Sequence, residues 1–321
     1  MHEDESQTSH VTVIICVYNA AGHLLPCVES VLAQTYENLD VIVVDDGSTD
    51  GAVDSIRGVE DPRLRILTQE NLGKSVALNR AIAASDGEFF AIQDADDLSH
   101  PRRIERLVAA MQENPQVAAV FSGHELILNG RRMAPRARAK GPDECRRDIE
   151  AMRMPAHDPT GMYRMTLVRG FRYDESVPPP FVEGYDYILR VGERWPMMVV
   201  GECLYSYRVH AGSITRVDAT SRDRLVLEVL RCACERRGID YDRWRAAKAS
   251  KRRKRLEGFE YGLAAHFMES AVDQRREGRF MAAVRTGLAC SRLRPWSPRF
   301  HKALVYALGP PELVRRLRGR R

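Results

Sequence analysis

The segment that most constrains the fold is residues 88–97, in which an apolar run is followed at once by three carboxylates. Residues 89–92 have the composition of a buried strand, and Asp94, Asp96 and Asp97 come directly after them. In an open α/β sheet, ligands bind just outside the carboxyl ends of the strands. Carboxylates this close repel one another unless a cation compensates them, and Mg²⁺ or Mn²⁺ prefers such oxygen ligands. The segment alone is compatible with a metal site or with an acidic cap of the following helix.

Other strands are predicted on either side of this segment. Residues 11–19 and 41–44 are β-branched and almost wholly apolar, as in central parallel strands, and residues 64–67 form a short third strand. A further strand is predicted at residues 117–121, and segments with helical periodicity lie between the strands. This alternation predicts an α/β fold with a mostly parallel, Rossmann-like sheet and helices on both faces.

The middle of the chain is less regular. Residues 130–154 are basic, contain prolines and a glycine, and lack periodicity, so we expect a surface loop. A helix is predicted at residues 187–194, and a pair of strands at residues 197–200 and 203–209. From residue 219 onward only amphipathic helices are expected. The predicted domains are a disordered tail at residues 1–10, an α/β domain at 11–218 and a basic helical extension at 219–321.

Composition bounds the class of protein. The 321 residues are 44% hydrophobic and 29% charged, as in soluble globular proteins, and no window is apolar enough to predict a transmembrane helix. The first ten residues lack the pattern of a signal peptide, and the seven cysteines are scattered without a CxxC pair. We therefore expect a cytoplasmic location.

The net charge of +5 is uneven, because basic runs occur at residues 251–255 and 315–321. They are compatible with a solvated helical face or with peripheral contact with an anionic membrane on its inner side. Nucleic acid is not expected as a partner, because no aromatic residues alternate with the basic runs and no binding motif is present.

Polar residues also follow the other predicted strands. Tyr18 and Asn19 end the first strand, Asp45 and Asp46 end the second, and Lys74 follows the third. A carboxylate can accept the imino N–H of a pyrimidine base and an aromatic ring can stack on it. One edge of the sheet is thus predicted to hold a base pocket and a cation facing phosphates. A capped turn and a solvated surface lysine are the plainer interpretations.

These motifs resemble those of a known family, the family 2 glycosyltransferases of the GT-A fold. The resemblance covers about residues 11–216 and lies in four motifs in order: VIICVYN at residues 13–19, VVDDGSTD at 43–50, NLGKSVALN at 71–79 and DADD at 94–97. It implies an inverting transferase that takes a sugar from a nucleoside diphosphate donor, with Mn²⁺ or Mg²⁺ bound.

The resemblance implies roles for individual residues. Tyr18 and Asp46 would contact the base, usually uracil, with support from Asp45. Asp94 and Asp96 would match the acidic metal motif, with Asp97 as the alternative to Asp96. The other positions assigned to the nucleotide pocket are Asn19, Lys74 and Cys16, the last as a packing variant and not a nucleophile.

Inversion needs a base on the acceptor hydroxyl. The resemblance implies that the base lies in an acidic motif at a helix start, matched here by EGYD at residues 183–186. The family's aspartate frequently stands where this chain has Gly184, so Glu183 or Asp186 is the expected base. Both could instead only cap the helix. His210, in YRVH at residues 207–210, would contact the metal or the diphosphate.

The sequence and the resemblance thus predict a bacterial enzyme that transfers a sugar from a UDP-sugar to a polysaccharide, lipid-linked or cell-surface glycan acceptor. One alternative is a nucleotide-sugar-binding module that has lost catalysis, which the glycine at position 184 favours. A nucleotidyltransferase is a weaker alternative, because residues 19–22 do not form a basic, glycine-rich triphosphate loop.

Overall fold

The computed structural model describes residues 9–176, 182–209, 219–252 and 258–310. The chain divides into two compact units, Met1–His124 with Arg138–Arg208, and Glu125–Ala137 with Val209–Arg321. Among the described helices, none has the length and apolar character needed to cross a membrane. The tail at residues 1–8, His210 and the basic end at residues 311–321 lie outside the described residues.

A mixed sheet forms the centre of the first unit. The strands are β1 Val11–Val17, β2 Leu39–Asp45, β3 Leu64–Thr68, β4 Phe89–Asp94, β5 Leu98–Ser99, β6 Ala119–Leu128, β7 Arg131–Arg136, β8 Gly161–Arg164 and β9 Met197–Val209. Their order is β3-β2-β1-β4-β8-β6-β9-β5, with β7 paired to β6. Strand β7 and residues 125–128 of β6 belong to the second unit. The pairs β1–β2, β1–β4 and β2–β3 are parallel, whereas β4–β8, β6–β8 and β5–β9 are antiparallel. The predicted α/β class is confirmed, and its parallel character is confined to the first four long strands.

The helices of the first unit are α1 Leu24–Leu32, α2 Lys74–Ala83, α3 Arg103–Glu113, α4 Pro142–Glu150, α5 Met165–Val168 and α6 Glu183–Gly192. A short 3₁₀ turn, Asp158–Thr160, precedes β8. Strands β1, β2 and β4 are buried along nearly their whole length, including Val13, Ile15, Val43, Phe89 and Ala91. Because both faces of these strands are covered, they appear in the sequence as continuous apolar runs.

Two expectations for the middle of the chain are wrong. Residues 130–154 are not an irregular loop, because they contain β7 and α4. The two strands expected at residues 197–209 form one strand, β9, with no break. At β7 and within β9 the local sequence favoured a turn, but pairing with neighbouring strands supplied the backbone hydrogen bonds that keep these two segments extended. Helix α6 also begins four residues earlier than expected, at Glu183.

The second unit contains helices α7 Ala219–Arg236, α8 Tyr241–Arg252, α9 Gly258–Arg276, α10 Phe280–Leu293 and α11 Pro298–Leu308. Helix α9 packs against β7, where Ser270 Oγ donates a hydrogen bond to the carbonyl of Pro135 (2.8 Å). Helices α10 and α11 approach closely at Gly287, where an added Cβ would lie 2.5 Å from the Cα of Leu304. The helical character expected from residue 219 onward is therefore observed in the described residues.

Candidate active site

The loops after β1 and β2 are joined to each other by hydrogen bonds. Asn19 N–H donates to Ser48 Oγ (3.1 Å), and Thr49 N–H donates to Asn19 Oδ1 (2.8 Å). Asn19 has a positive φ of 52°, a conformation that asparagine tolerates better than most residues. The Asp45 carboxylate accepts the N–H of Ser48 (2.9 Å), which closes the second loop. Asn19 and Asp45, both predicted for the nucleotide pocket, therefore hold the shape of this edge.

Asp46 holds the loop that follows β3. Its Oδ1 accepts hydrogen bonds from Gln69 Nε2 (2.8 Å) and Leu72 N–H (2.9 Å), and its Oδ2 accepts one from Gly73 N–H (2.9 Å). The side chain is buried. A carboxylate has about four lone-pair sites, so capacity for a further donor is left after these three bonds.

Tyr18 and Cys16 lie at the end of β1 in different environments. The Tyr18 side chain is 50% exposed, which leaves an aromatic ring available for stacking. Burial raises the pKa of the Cys16 thiol, and the charges of Lys74, Asp94 and Asp46 act on the same group. A buried neutral thiol is a poor nucleophile, which agrees with the interpretation of Cys16 as a packing residue.

Lys74, the first residue of α2, joins two carboxylates. Its Nζ lies 2.8 Å from Asp94 Oδ1 and 3.2 Å from Glu183 Oε1. Burial opposes its charge, but the carboxylates of Asp94 and Glu183 outweigh burial and raise the pKa of Lys74 well above its usual value. Burial likewise opposes ionisation of Asp94, yet Lys74 lowers the pKa of that carboxyl. The structure thus brings together three predicted site residues, Lys74, Asp94 and Glu183.

Asp97 is fully buried and ties β9 to the end of β4. Its Oδ2 accepts the hydroxyl proton of Tyr205 (2.8 Å), and its Oδ1 accepts Arg208 N–H (2.7 Å). The Tyr205 hydroxyl in turn accepts Asp94 N–H (3.1 Å), and Arg208 Nε donates to the carbonyl of Asp96 (2.8 Å). Burial, with the charges of Asp96 and Asp94, raises the pKa of Asp97 well above its usual value. These hydrogen bonds hold the backbone conformation of the acidic loop, residues 94–97.

The start of α6 separates the two predicted bases. Glu183 faces Lys74, as described above, whereas Asp186 Oδ2 accepts a hydrogen bond from Arg190 Nε at 2.6 Å, one turn further along the helix. Gly184, between them, faces the 3₁₀ turn. A Cβ added to Gly184 would lie 2.3 Å from Oδ2 of Asp158, so no other residue fits at this position while Asp158 keeps its place.

Asp158 is the residue of this cluster that the sequence did not reveal. It is buried, and its Oδ1 and Oδ2 accept hydrogen bonds from the hydroxyls of Tyr163 (2.6 Å) and Tyr173 (3.4 Å). Burial raises the pKa of Asp158 to about 6, and Lys74 and Glu183 are near enough to influence it. The one signal in the sequence was the glycine at position 184, which indicates that another group fills this space.

Two histidines bear on the site. His210, the predicted metal or phosphate contact, lies outside the described residues. The ring of His157 packs against Tyr207, with centroids 5.5 Å apart, and its Nε2 is buried with no hydrogen-bond partner among the described residues. Burial lowers the pKa of His157, although Asp94 acts in the opposite direction. A neutral imidazole is therefore expected beside the acidic loop.

The acidic loop has the donor chemistry for a divalent cation. Burial is the largest cause of the raised pKa of Asp97, and the negative charges of Asp96 and Asp94, which a cation would neutralise, add to it. In the described part of the chain, no three His, Cys, Asp or Glu side chains meet as a complete metal site. A Mg²⁺ or Mn²⁺ ion that keeps waters and takes phosphate oxygens needs only one or two protein carboxylates. The residues present fit such an ion.

Comparison with known proteins identifies the family. The family model described as glycosyl transferase family 2 matches residues 12–172, half of the chain. An uncharacterised glycosyltransferase from Haemophilus influenzae is 30% identical over 218 residues, which are 64% of this chain and 68% of the relative. This chain also matches glycosyltransferase GlyG from Streptococcus pneumoniae (41% identity) over 35% of the length of GlyG. It matches the uncharacterised glycosyltransferase YibD from Escherichia coli (38% identity) over 34% of the length of YibD.

Solved structures share the fold. The fragment 1–349 of TarS from S. aureus, crystallised with UDP-GlcNAc, has a TM-score of 0.57 at 17% identity over 93% of this chain and 89% of that fragment. The mannosyltransferase PcManGT from Pyrobaculum calidifontis, in complex with GDP-Man and Mn²⁺, has a TM-score of 0.50 at 18% identity over 97% of this chain and 79% of PcManGT. At these identities the likeness concerns the fold, and the predicted GT-A architecture is confirmed. The chain belongs to glycosyl transferase family 2 and is a glycosyltransferase.

Proposed function

We propose that this enzyme transfers a sugar, with inversion, from a nucleoside diphosphate donor to a polysaccharide, lipid-linked or cell-surface glycan acceptor. The observation that carries the proposal is the cluster at one edge of the sheet, where Lys74 contacts both Asp94 and Glu183. A cation between two carboxylates, next to the acidic loop and the loops after β1 and β2, suits a substrate that has a base at one end and a diphosphate at the other.

The base would lie between the exposed ring of Tyr18 and the Asp46 carboxylate. Asp46 keeps capacity for one more donor, such as the imino N–H of uracil, while its other bonds hold the loop after β3 in place. Uracil is supported by TarS, which is similar in fold and was crystallised with UDP-GlcNAc. UDP-sugars are therefore the first donors to test.

Asp96 and Asp94 would hold Mn²⁺ or Mg²⁺, with His210 as a further ligand. When bound, such an ion neutralises the diphosphate and stabilises it as a leaving group. The similar fold of PcManGT, solved with Mn²⁺, supports a divalent cation. Lys74 would shift from its carboxylates toward the diphosphate as the donor binds, since its ammonium is the nearest positive charge described in the cluster.

The test is thermal stability against a panel of UDP-, dTDP- and GDP-sugars, with Mn²⁺, with Mg²⁺ and with chelator. A ligand that binds only the folded state raises its stability by about 2.7 kcal/mol at a hundredfold excess over Kd. We expect stabilisation by one nucleotide class in the presence of metal, and its loss in Asp96→Ala. If Asp96→Ala keeps metal-dependent donor binding, the assignment of the metal is wrong.

The alternative is a nucleotide-sugar-binding module without catalysis, which Gly184 favours because it removes the expected aspartate. Turnover separates the two functions. Loss of turnover in Glu183→Gln or Asp186→Asn with donor binding preserved would eliminate the binding module. Donor binding by the wild type without release of nucleoside diphosphate would favour it.

We further propose a cytoplasmic enzyme in peripheral contact with an anionic membrane, where lipid-linked acceptors would be found. Trp296, between α10 and α11, is 96% exposed and follows Arg294 in a basic stretch. An exposed tryptophan beside arginines suits the membrane interface, where each basic residue contributes about 1 kcal/mol. The full chain should sediment with phosphatidylglycerol vesicles, and deletion of residues 311–321 or Trp296→Ala should move it to the supernatant. An unchanged pellet in both variants would rule out this contact.

A further inference from the structure

The carboxylate of Asp158 occupies the space that a side chain at position 184 would fill. An added Cβ on Gly184 would lie 2.3 Å from Oδ2 and 2.6 Å from Cγ of Asp158. Cβ atoms do not come this close to unbonded heavy atoms, so the two side chains are mutually exclusive in this position. The space beside position 184, at the start of α6, therefore holds a carboxylate that comes from Asp158 and not from α6.

The turn that carries Asp158 is held rigidly. Arg103 is fully buried, and its Nη2 donates hydrogen bonds to the carbonyls of Pro159 (2.8 Å) and Ile92 (2.8 Å), which join the turn to β4. The hydroxyls of Tyr163 and Tyr173 fix the rotamer of the carboxylate. A group held in this way is preorganised for chemistry.

The other two carboxylates at the start of α6 have cationic partners. Glu183 contacts Lys74, and Asp186 contacts Arg190 at 2.6 Å. Within the described ranges, Asp158 has phenol hydroxyls as partners and no arginine or lysine. Burial outweighs the opposing effects of the Tyr163 hydrogen bond and the Lys74 charge and raises the pKa of Asp158 to about 6, close to the value that suits a general base near neutral pH.

We propose that Asp158 is the general base of the transfer, supplied by the turn before β8 in place of a residue on α6. The assignment rests on the sugar transfer proposed above. In the step, the acceptor hydroxyl gives its proton to Asp158, and its oxygen forms a bond to the anomeric carbon of the donor. The bond from that carbon to the diphosphate breaks, and its electron pair leaves with the nucleoside diphosphate. Glu183 then acts with Lys74 in holding the site.

The test compares Asp158→Asn, Asp158→Gly, Gly184→Asp and the double variant Asp158→Gly/Gly184→Asp in the full chain. The readout is release of nucleoside diphosphate with water as acceptor, using UDP-GlcNAc first and then the other donors of the panel, with Mn²⁺. Asp148→Asn is the matched control. Asp148 lies in α4, is partly buried and pairs with Lys140, which is not a residue of the cluster. Thermal unfolding of each variant verifies that it is folded.

We expect Asp158→Asn, which keeps the shape of the side chain, to lower kcat by about a hundredfold or more while donor KM stays within about threefold of the wild type. The double variant should recover at least about tenfold of the kcat lost in Asp158→Gly, because it returns a carboxylate to the same space from α6. Gly184→Asp alone should lose activity through the collision with Asp158, and Asp148→Asn should keep kcat.

Wild-type kcat in Asp158→Asn, or no recovery in a folded double variant that binds donor, would overturn the assignment of Asp158. A wild-type chain that releases no nucleoside diphosphate from any donor of the panel would overturn the proposed function, and the assignment of Asp158 with it. The two failures are therefore distinguished by the wild type.

Discussion

The ammonium of Lys74 lies 2.8 Å from the carboxylate of Asp94, and this ion pair joins the first turn of α2 to the last residue of β4. The same ammonium reaches Glu183 at the start of α6. Three elements that are far apart in sequence thus converge on one charge. Burial alone would disfavour the charges of Lys74 and Asp94, and their mutual attraction opposes this effect of burial on both groups.

Lys74→Met should leave Asp94 and Glu183 facing each other without a cation. We expect a loss of about 2–3 kcal/mol in the free energy of unfolding, less than for a fully buried pair because the Lys74 side chain is 29% exposed. Stabilisation by donor should also be lost. Urea denaturation and thermal shift measure the two effects, with Lys140→Met, which breaks the pair with Asp148, as a control that keeps the donor response. Unchanged donor response in Lys74→Met would contradict a role in phosphate binding.

Asp46→Asn should weaken the loop after β3. An amide nitrogen in place of one oxygen leaves Gly73 N–H, or the donors on the other oxygen, facing a donor instead of an acceptor. We expect about 1–3 kcal/mol less stability and a smaller thermal shift with UDP. Asp61→Asn, which weakens the pair with Arg63, should cost stability and leave the UDP shift intact. An unaltered UDP shift in Asp46→Asn would argue against this base pocket.

Replacements of Asp97 should separate charge from hydrogen bonding. Both oxygens of Asp97 accept hydrogen bonds, and the amide of Asp97→Asn keeps one acceptor while its nitrogen faces a donor, so we expect a loss of about 1–2 kcal/mol. Asp97→Ala leaves the Tyr205 hydroxyl and Arg208 N–H without their acceptor and should cost roughly 2–4 kcal/mol. Urea denaturation compares the two. Equal losses would show that the negative charge itself is what matters.

The stability of the wild type should depend on pH through Asp158. Burial raises the folded-state pKa from an ordinary 3.8 to about 6, so the favourable contribution of the protonated group is present below pH 3.8 and is lost as pH rises through 6. The amide of Asp158→Asn does not titrate, so this variant does not lose stability at position 158 as the pH rises. Its stability relative to the wild type should therefore improve by roughly 2.4 kcal/mol between pH 4 and pH 7.5. Urea denaturation at both pH values tests this, and a difference that does not vary with pH would contradict it.

Strands β1, β2 and β4 could be predicted because each of them is buried on both faces and is therefore a continuous apolar run. Gly47 illustrates how directly some positions follow from chemistry. It has a φ of +79°, and an added Cβ would lie 2.8 Å from the backbone nitrogen of Asn71, so a residue with a side chain does not fit this turn. The antiparallel strands were harder, since β7 and β9 acquire their extended form from their neighbours in the sheet.

The sequence by itself determined the α/β class, the family and the edge of the sheet at which the site lies, because strand ends and their loop residues are local features. Only the tertiary structure decided which groups each carboxylate of the site contacts. Lys74 forms ion pairs with Asp94 and Glu183, and Arg190 forms one with Asp186. The Asp158 carboxylate lies in the space beside Gly184. Such pairings join residues distant in sequence, and the close packing that creates them has no counterpart in local periodicity.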